Sequence, residues 1–454
     1  MQTTLPQQQE GKISFTTGEL RRLILPLMGE QLLAITVGLA DSLMVAGVSN
    51  AAVSAVSLVD SVSNLMIYIF SAFATGGAVA AGQYLGRRDE EKARRAAEQL
   101  TVLLAAVSLA VMAALYLGKG FVLTHVFGEI ERDVMEATDT YYSVVMASIP
   151  FLALYNAGAA LMRIMQRSDL SFRVSLLMNG VNICGNAILI YGMKLGILGA
   201  AIPTLCSRML ACAVILSRFA DRRLPLHLRE LKHYRMDRHM VKNILSIGVP
   251  SGLENGMFHF GRLILTSLIS TFGTASIMAN AMGNVIGNFH VCIGSAIGLG
   301  MTTVASRCVG AGDYTATRKY TRRLMGWCYA ANTAVNALLL LAIPLILHLY
   351  QVEGETARLA AWVMGIHGTG TILLYPTAFP LPNTLRAAGD ARYTMLVTMV
   401  SMWLFRVGLG VVLGRTLGFG VIGVYLAHMV DWTVRSLCFT LRYRGKRWQH
   451  AAME

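Results

Sequence analysis

Residues 26–47 read PLMGEQLLAITVGLADSLMVAG, and the pattern returns at 250–271 as PSGLENGMFHFGRLILTSLIST, 224 residues later. Each stretch is apolar for about the 20 residues that a helix needs to cross roughly 30 Å of hydrocarbon. The same offset sets Pro26 on Pro250, Glu30 on Glu254, Asn64 on Asn288, Gly86 on Gly310, Asp89 on Asp313 and Arg94 on Arg318 (for instance 250 − 26 and 313 − 89). Between residues 26 and 100 about fourteen positions are identical without a gap, roughly double the chance expectation for so narrow a composition. A duplication of this length in an apolar chain predicts two related halves in a membrane, the way many transporters build two lobes around a central path.

Composition supports the membrane as solvent. With 55% hydrophobic and 14% charged residues and a mean hydropathy of +0.54, the 454-residue chain has too little polar surface to cover a soluble body. Apolar runs lie near 20–46, 53–81, 96–118, 138–165, 170–193, 196–218, 243–271, 275–306, 322–350, 358–385, 393–414 and 420–441. These segments are too long and too little alternating for barrel strands, so they read as helices. The fold class expected is an all-α membrane protein of twelve transmembrane helices in two pseudo-symmetric six-helix lobes. Its parts are a cytoplasmic N-terminal segment (1–19), the first lobe (20–218), an interlobe linker (219–242), the second lobe (243–441) and a cytoplasmic tail (442–454).

A net charge of +14 raises the question of nucleic acid, but the charges follow another pattern. Of 39 Lys and Arg, about 31 fall in the termini and in the connections after even-numbered spans. Lys119, Arg132, Lys194, Arg358 and Arg415 lie on the other side, and Arg208, Arg262 and Arg406 lie inside spans. This asymmetry places both termini in the cytoplasm, and a nucleic-acid partner is not expected. The first 19 residues are polar and lack an apolar core before a cleavage site, so the first span itself is expected to direct insertion. Seven dispersed cysteines with no CxxC predict neither disulfides nor a zinc site. No GxxxxGK[ST] run occurs, which argues against ATP as the energy source.

The longest internal polar stretch, 219–242, reads as a cytoplasmic linker against anionic headgroups. Small-residue–Asp turns recur at Gly86-Arg87-Arg88-Asp89, Ser168-Asp169, Gly312-Asp313 and Gly389-Asp390. They read as hinges in which Gly ends one helix and Asp caps the next.

Among intramembrane polar residues Asp41 stands out. A carboxylate in a span costs about 2.5–3.5 kcal/mol on insertion scales, and no basic residue sits three or four places away. Such a group can take up a proton on one side and release it on the other. Asn182 and Asn186, four apart, share one helical face, and Thr204 enters the membrane from the opposite direction on the next span. Glu30 and Glu254 each follow a proline by four residues. They suit a cation or basic substrate, or else pair with an arginine such as Arg262. Arg406, between Phe405 and Val407, needs a carboxylate, carbonyls or a wet cavity, and a structural or cavity-lining role is expected. Arg208 and Arg262 are given the same structural or cavity-lining role, and His259, His290 and His367 are read as packed core residues. The position equivalent to Asp41 in the second half is Leu265, so no second ion site is expected there.

Across nearly its full length the chain resembles the multidrug and toxic compound extrusion (MATE) transporters. The resemblance rests on Pro26 with Gly38-Leu-Ala-Asp41-Ser42, on Gly310-Ala-Gly-Asp313 and on Asn182-x-x-x-Asn186 leading to Tyr191-Gly192. Gly199-Ala-Ala-Ile-Pro-Thr204, Trp403-x-Phe405-Arg406 and Asp431-Trp432-x-x-Arg435 complete it. It implies a V-shaped pair of lobes in the inner membrane of a prokaryote, acting as a monomer on small molecules among membrane lipids. The implied activity is export of amphipathic, often cationic compounds in antiport with H⁺ or Na⁺ by alternating access, with no cofactor and no enzymatic step. It also implies a cation site at Asp41, Asn182, Asn186, Thr204 and Asn156, with Na⁺ as the metal candidate, and bending of the first helix at Pro26. The sequence departs from the family at Asn186, where related members carry aspartate. An amide cannot ionise, which weakens the case for sodium more than that for a proton. Two rivals are a lipid-linked precursor flippase of the same superfamily and a membrane-embedded transferase. Twelve spans, few intramembrane arginines and the acidic Asp41 argue against the first. The absence of an HxxxxD or DxD cluster argues against the second.

Overall fold

The computed structural model describes residues 13–127, 131–228 and 234–450, and no strand occurs among them. The first lobe comprises α1 (Thr17–Ala46), α2 (Asn50–Gly86), α3 (Glu90–Leu117), α4 (Arg132–Met146 and Ile149–Ile164, bent by 44°), α5 (Ser168–Gly192) and α6 (Leu198–Arg218). The second comprises α7 (Arg238–Ser270), α8 (Thr274–Gly310), α9 (Tyr314–Leu341), α10 (Gly354–Leu373, then Tyr375–Ala378 and Pro380–Ala387), α11 (Ala391–Thr416) and α12 (Gly420–Arg444). Among the described residues, eight helices are individually long and apolar enough to span a membrane, and the bent α4 makes nine. The other three, α7, α10 and α12, carry Glu254, His259, Arg262, His367, His428, Asp431 and Arg435. Most of these face one central cavity, so the polar residues that lower their hydropathy are turned away from lipid.

The duplication extends to backbone detail. Gly196 (φ 59°) and Gly420 (φ 57°) are both left-handed and are 224 apart (420 − 196). A π-turn at Ala187–Gly192 recurs at Val412–Thr416. Gly199 would meet the Leu189 carbonyl carbon at 2.9 Å if it carried a Cβ, as Gly423 would meet that of Leu413 at 2.7 Å. These are close helix approaches that only glycine permits.

Of the four small-residue–Asp turns, two cap helices as expected. Asp89 accepts from the Lys92 amide at 3.0 Å and Asp313 from that of Ala316 at 2.7 Å. The left-handed residues are Gly312 (φ 73°) and Gly389 (φ 90°), but in the first turn it is Arg88 (φ 60°), not Gly86. Asp390 makes no cap and instead takes two hydrogen bonds from Arg442, at 2.7 and 3.1 Å. The linker also departs from expectation. Phe219 and Leu226 are buried, and Tyr234 and Arg235 hydrogen-bond to Gln99 of α3, so the described part docks on protein. Arg229 and Lys232 of the linker, residues 1–12 and residues 451–454 lie outside the described residues.

The lobes meet where the last turns of α2 and α8 cross. A Cβ on Gly86 would lie 2.1 Å from the Arg307 carbonyl oxygen, and one on Gly310 would lie 2.0 Å from that of Gln83. Gln83 adds a hydrogen bond from Nε2 to the Ala387 carbonyl at 2.8 Å. Each lobe's first helix also leans across. The start of α1 buries Leu20, Leu23, Ile24 and Leu27 against Ile297, Met301 and Tyr320 of the second lobe. The backbone of α7 at Gly248 lies close to Gly76 and Phe73 of α2. Helix α1 runs through Pro26 without interruption.

Candidate functional site

The two largest polar groupings among these helices are one within the first lobe and one walled mainly by the second. In the first, Asp41 of α1 faces α5. Asn186 Nδ2 donates to Asp41 Oδ1 at 2.8 Å. The Asn182 amide is assigned with nitrogen toward Asp41, the orientation that satisfies both ends. Nδ2 then lies 2.9 and 3.0 Å from the two carboxylate oxygens, and Oδ1 accepts from Thr204 Oγ1 at 3.3 Å. The i, i+4 spacing on α5 thus delivers both amides to one carboxylate. Thr204 is held by the Ala200 carbonyl at 2.9 Å and meets the Tyr141 hydroxyl. Four of the five residues expected at a cation site are therefore one cluster. Asn156 is not tied into it, because its Nδ2 is buried without an acceptor.

One correction concerns the isolation of Asp41. Asp60 of α2 lies near enough to act electrostatically on it, and Arg208 acts on both carboxylates while donating to Ser148 Oγ at 2.7 Å. Two like charges held half-buried inside a membrane are stabilised by a guanidinium, a proton or a bound cation. No ion pair ties Asp41 to an arginine among the described residues. Asp60 was legible in principle as a second acid inside a span. Arg208 belongs to this electrostatic group and is not structural alone.

The paired glutamates behave differently. Arg163 Nη1 lies 3.7 Å from Glu30 Oε1, and Ser171 donates to its Oε2 at 3.2 Å. Glu254 Oε1 takes bonds from Arg386 Nη2 at 2.6 Å and Thr398 Oγ1 at 2.9 Å. Their partners are thus Arg163 and Arg386, not Arg262, which donates to Asn284 Oδ1 at 2.8 Å.

The second place is a cavity of about 700 Å³ walled mainly by α7, α8, α10, α11 and α12, with α1 and α2 closing one side. Arg406 and Arg435 flank Asp431, with Nε atoms 3.1 and 2.7 Å from its oxygens, and Ser401 donates to Oδ1 at 2.6 Å. Both guanidiniums also lie over the Phe258 ring. Arg406 thus has the carboxylate and the cavity that its position requires. His290 and His367 are in direct contact, Nδ1 to Nδ1 at 2.9 Å, and His367 packs on Trp432. Arg386, one residue beyond the 358–385 run, and Arg435, inside the 420–441 run, also face this cavity. The argument from few intramembrane arginines therefore fails.

A family model described as MatE matches residues 26–188 and again 250–412, the two halves at the 224-residue offset (250 − 26). The chain belongs to the MatE family. It is a multi-pass membrane transporter and not an enzyme. It is 26% identical over 444 residues to the "uncharacterized transporter YisQ" of Bacillus subtilis, covering 96% of each chain. It is 23% identical to the "probable multidrug resistance protein NorM" of Thermotoga maritima, covering 96% of this chain and 94% of that one. A solved structure titled "MATE in the bent conformation" matches with a TM-score of 0.87 at 20% identity, over 95% of each chain. That likeness concerns the fold, two MatE lobes.

Proposed function

We propose that this MatE protein is a secondary multidrug exporter that expels amphipathic, often cationic compounds in antiport with H⁺ or Na⁺. The carrying observation is the first-lobe cluster, in which Asp41 is gripped by two amides and a second carboxylate stands near, with no fixed ion pair. Asn186 presents N–H to Asp41, while the Asn182 amide can offer nitrogen to the carboxylate or, turned over, oxygen to a cation, so the cluster suits either H⁺ or Na⁺ as the coupling ion. Coupling follows when ion and substrate bind the two access states with different affinity.

With both termini in the cytoplasm, the Gly86–Gly310 crossing closes the cytoplasmic end, and the state described faces outward. Pro26, lacking its backbone donor, lets α1 bend between states. The functional unit is a monomer whose parts are the lobes 20–218 and 243–441, the linker 219–242 and the two terminal segments. The known relatives described as multidrug resistance proteins support the substrate class. Proteoliposome efflux of a cationic dye under an imposed pH gradient, with and without sodium, tests the reading. Asp41→Asn is expected to lower gradient-driven efflux about tenfold or more. Equal efflux by both proteins would refute it, and efflux that needs sodium at every pH would identify the ion as Na⁺.

A further inference from the structure

We infer that the second-lobe cavity binds the acidic group of an aromatic carboxylate. The inference sets an anionic aromatic class in this cavity in place of the cationic compounds of the export reading, and it rests on that reading only for the direction of transport. The cavity is the repeat's counterpart of the cation cluster. At the 224-residue offset Asp41 becomes Leu265, Asp60 becomes Asn284, Asn182 becomes Arg406 and Thr204 becomes His428 (for instance 406 − 182 and 428 − 204). The equivalent Gly196 and Gly420 turns, just before the Thr204 and His428 helices, support that register structurally. All four replacements line the cavity. Two of them remove an acid and a third puts a guanidinium in place of an amide, so the same scaffold has been refitted for the opposite charge.

Charge bookkeeping agrees. Four arginines line the wall, Arg262, Arg386, Arg406 and Arg435, against the carboxylate of Glu254. Asp431 behind Arg406 and Arg435 brings the count to four cations and two anions, a surplus of two among the described residues. Glu254 uses Oε1 on Arg386 and Thr398 and leaves only Oε2 open, while Asp431 lies between two guanidiniums. The acceptors left to a cation, Glu254 Oε2 and Asp431 Oδ2, belong to carboxylates that arginines already neutralise.

An anion finds donors. Arg406, 3% exposed, has its Nη2 buried without an acceptor, and Trp432 Nε1 and His428 Nε2 are likewise unpartnered. Unmet donors of this kind are costly unless a ligand completes them. Guanidinium pairs match the planar carboxylate. Tyr375 and Phe379, stacked at 4.8 Å, with Trp432 against both, supply the wall for an aromatic body. The volume suits a drug-sized molecule.

Equilibrium dialysis of purified full-length protein in detergent tests the site with 1-naphthoate, its methyl ester and 1-naphthylmethylammonium. No gradient is present, so failure of ion coupling in flux leaves this result standing. Naphthoate is expected to bind about tenfold more tightly than either analogue. Arg406→Gln abolishes that preference. Because it also disturbs the Asp431 ion pairs, Arg262→Gln is the second variant, since Arg262 is exposed to the cavity and makes one side-chain bond. Arg262→Gln lowers naphthoate affinity about threefold to tenfold and leaves the ester unchanged. Ammonium or ester binding as tight as naphthoate, no saturable naphthoate binding, or an Arg262→Gln protein with unaltered preference would each overturn the inference.

Discussion

Asp41 and Asp60 in the first lobe correspond to Leu265 and Asn284 in the second, and Asn182 corresponds to Arg406, each 224 residues on. Around them the lobes keep the same glycine turns, the same helix caps at Asp89 and Asp313, and the same crossing glycines at Gly86 and Gly310. Duplication has preserved the positions that set backbone path and helix approach, because a side chain there collides with main chain. It has released those that only face a pocket, where changing charge leaves the scaffold intact. One lobe consequently holds an acid bonded to two amides, and the other holds a carboxylate set between two arginines.

The largest test of that contrast is stability. Arg406→Gln breaks an ion pair buried at 3% and 0% exposure and is expected to cost about 3–5 kcal/mol, read as a lower melting midpoint in detergent. Asn182→Ala at the equivalent position removes only interhelical hydrogen bonds, at about 0.6–2 kcal/mol. Equal losses would dissolve the distinction between the lobes' polar groups. Next in size is the crossing they share. Gly310→Ala would set a Cβ 2.0 Å from the Gln83 carbonyl oxygen, so the crossing must open. Spin labels on Arg88 and Thr315, measured by pulsed dipolar spectroscopy, are expected to show a longer distance, with about a tenfold change in the open-to-closed ratio. Gly86→Ala is expected to act in the same direction, and opposite signs would break the symmetry. The smallest effect is expected from Asp60→Asn, which retains Asp41 and its amides. Gradient-driven efflux falls about threefold, and adding Asp41→Asn lowers it no further than Asp41→Asn alone. An additive loss would separate the two carboxylates into independent sites.

Much of this was readable along the chain. Helix number and the two halves follow from hydropathy and from the constant offset, and the i, i+4 spacing sets Asn182 and Asn186 on one face of α5, while their grouping with Asp41 and Thr204 was what the MATE resemblance implied. Residues that meet across lobes or across distant helices were harder. Asp60 lies 19 positions beyond Asp41 on another helix, and nothing local marks their proximity (60 − 41). Arg386 and Arg435 sit near basic connections, which hid their inward direction. Glu254 finds Arg386, 132 residues away, rather than Arg262 within its own helix.

Sequence by itself determined the solvent, the duplication and the identity of an intramembrane acid, because transfer energy and periodicity are summed residue by residue. Only tertiary structure decided which charges neutralise one another. It tied Asp431 to two guanidiniums, left Asp41 untied and turned four arginines toward one cavity. The physical reason is that electrostatic energy in a low-dielectric interior depends on separation in space, and packing sets that separation.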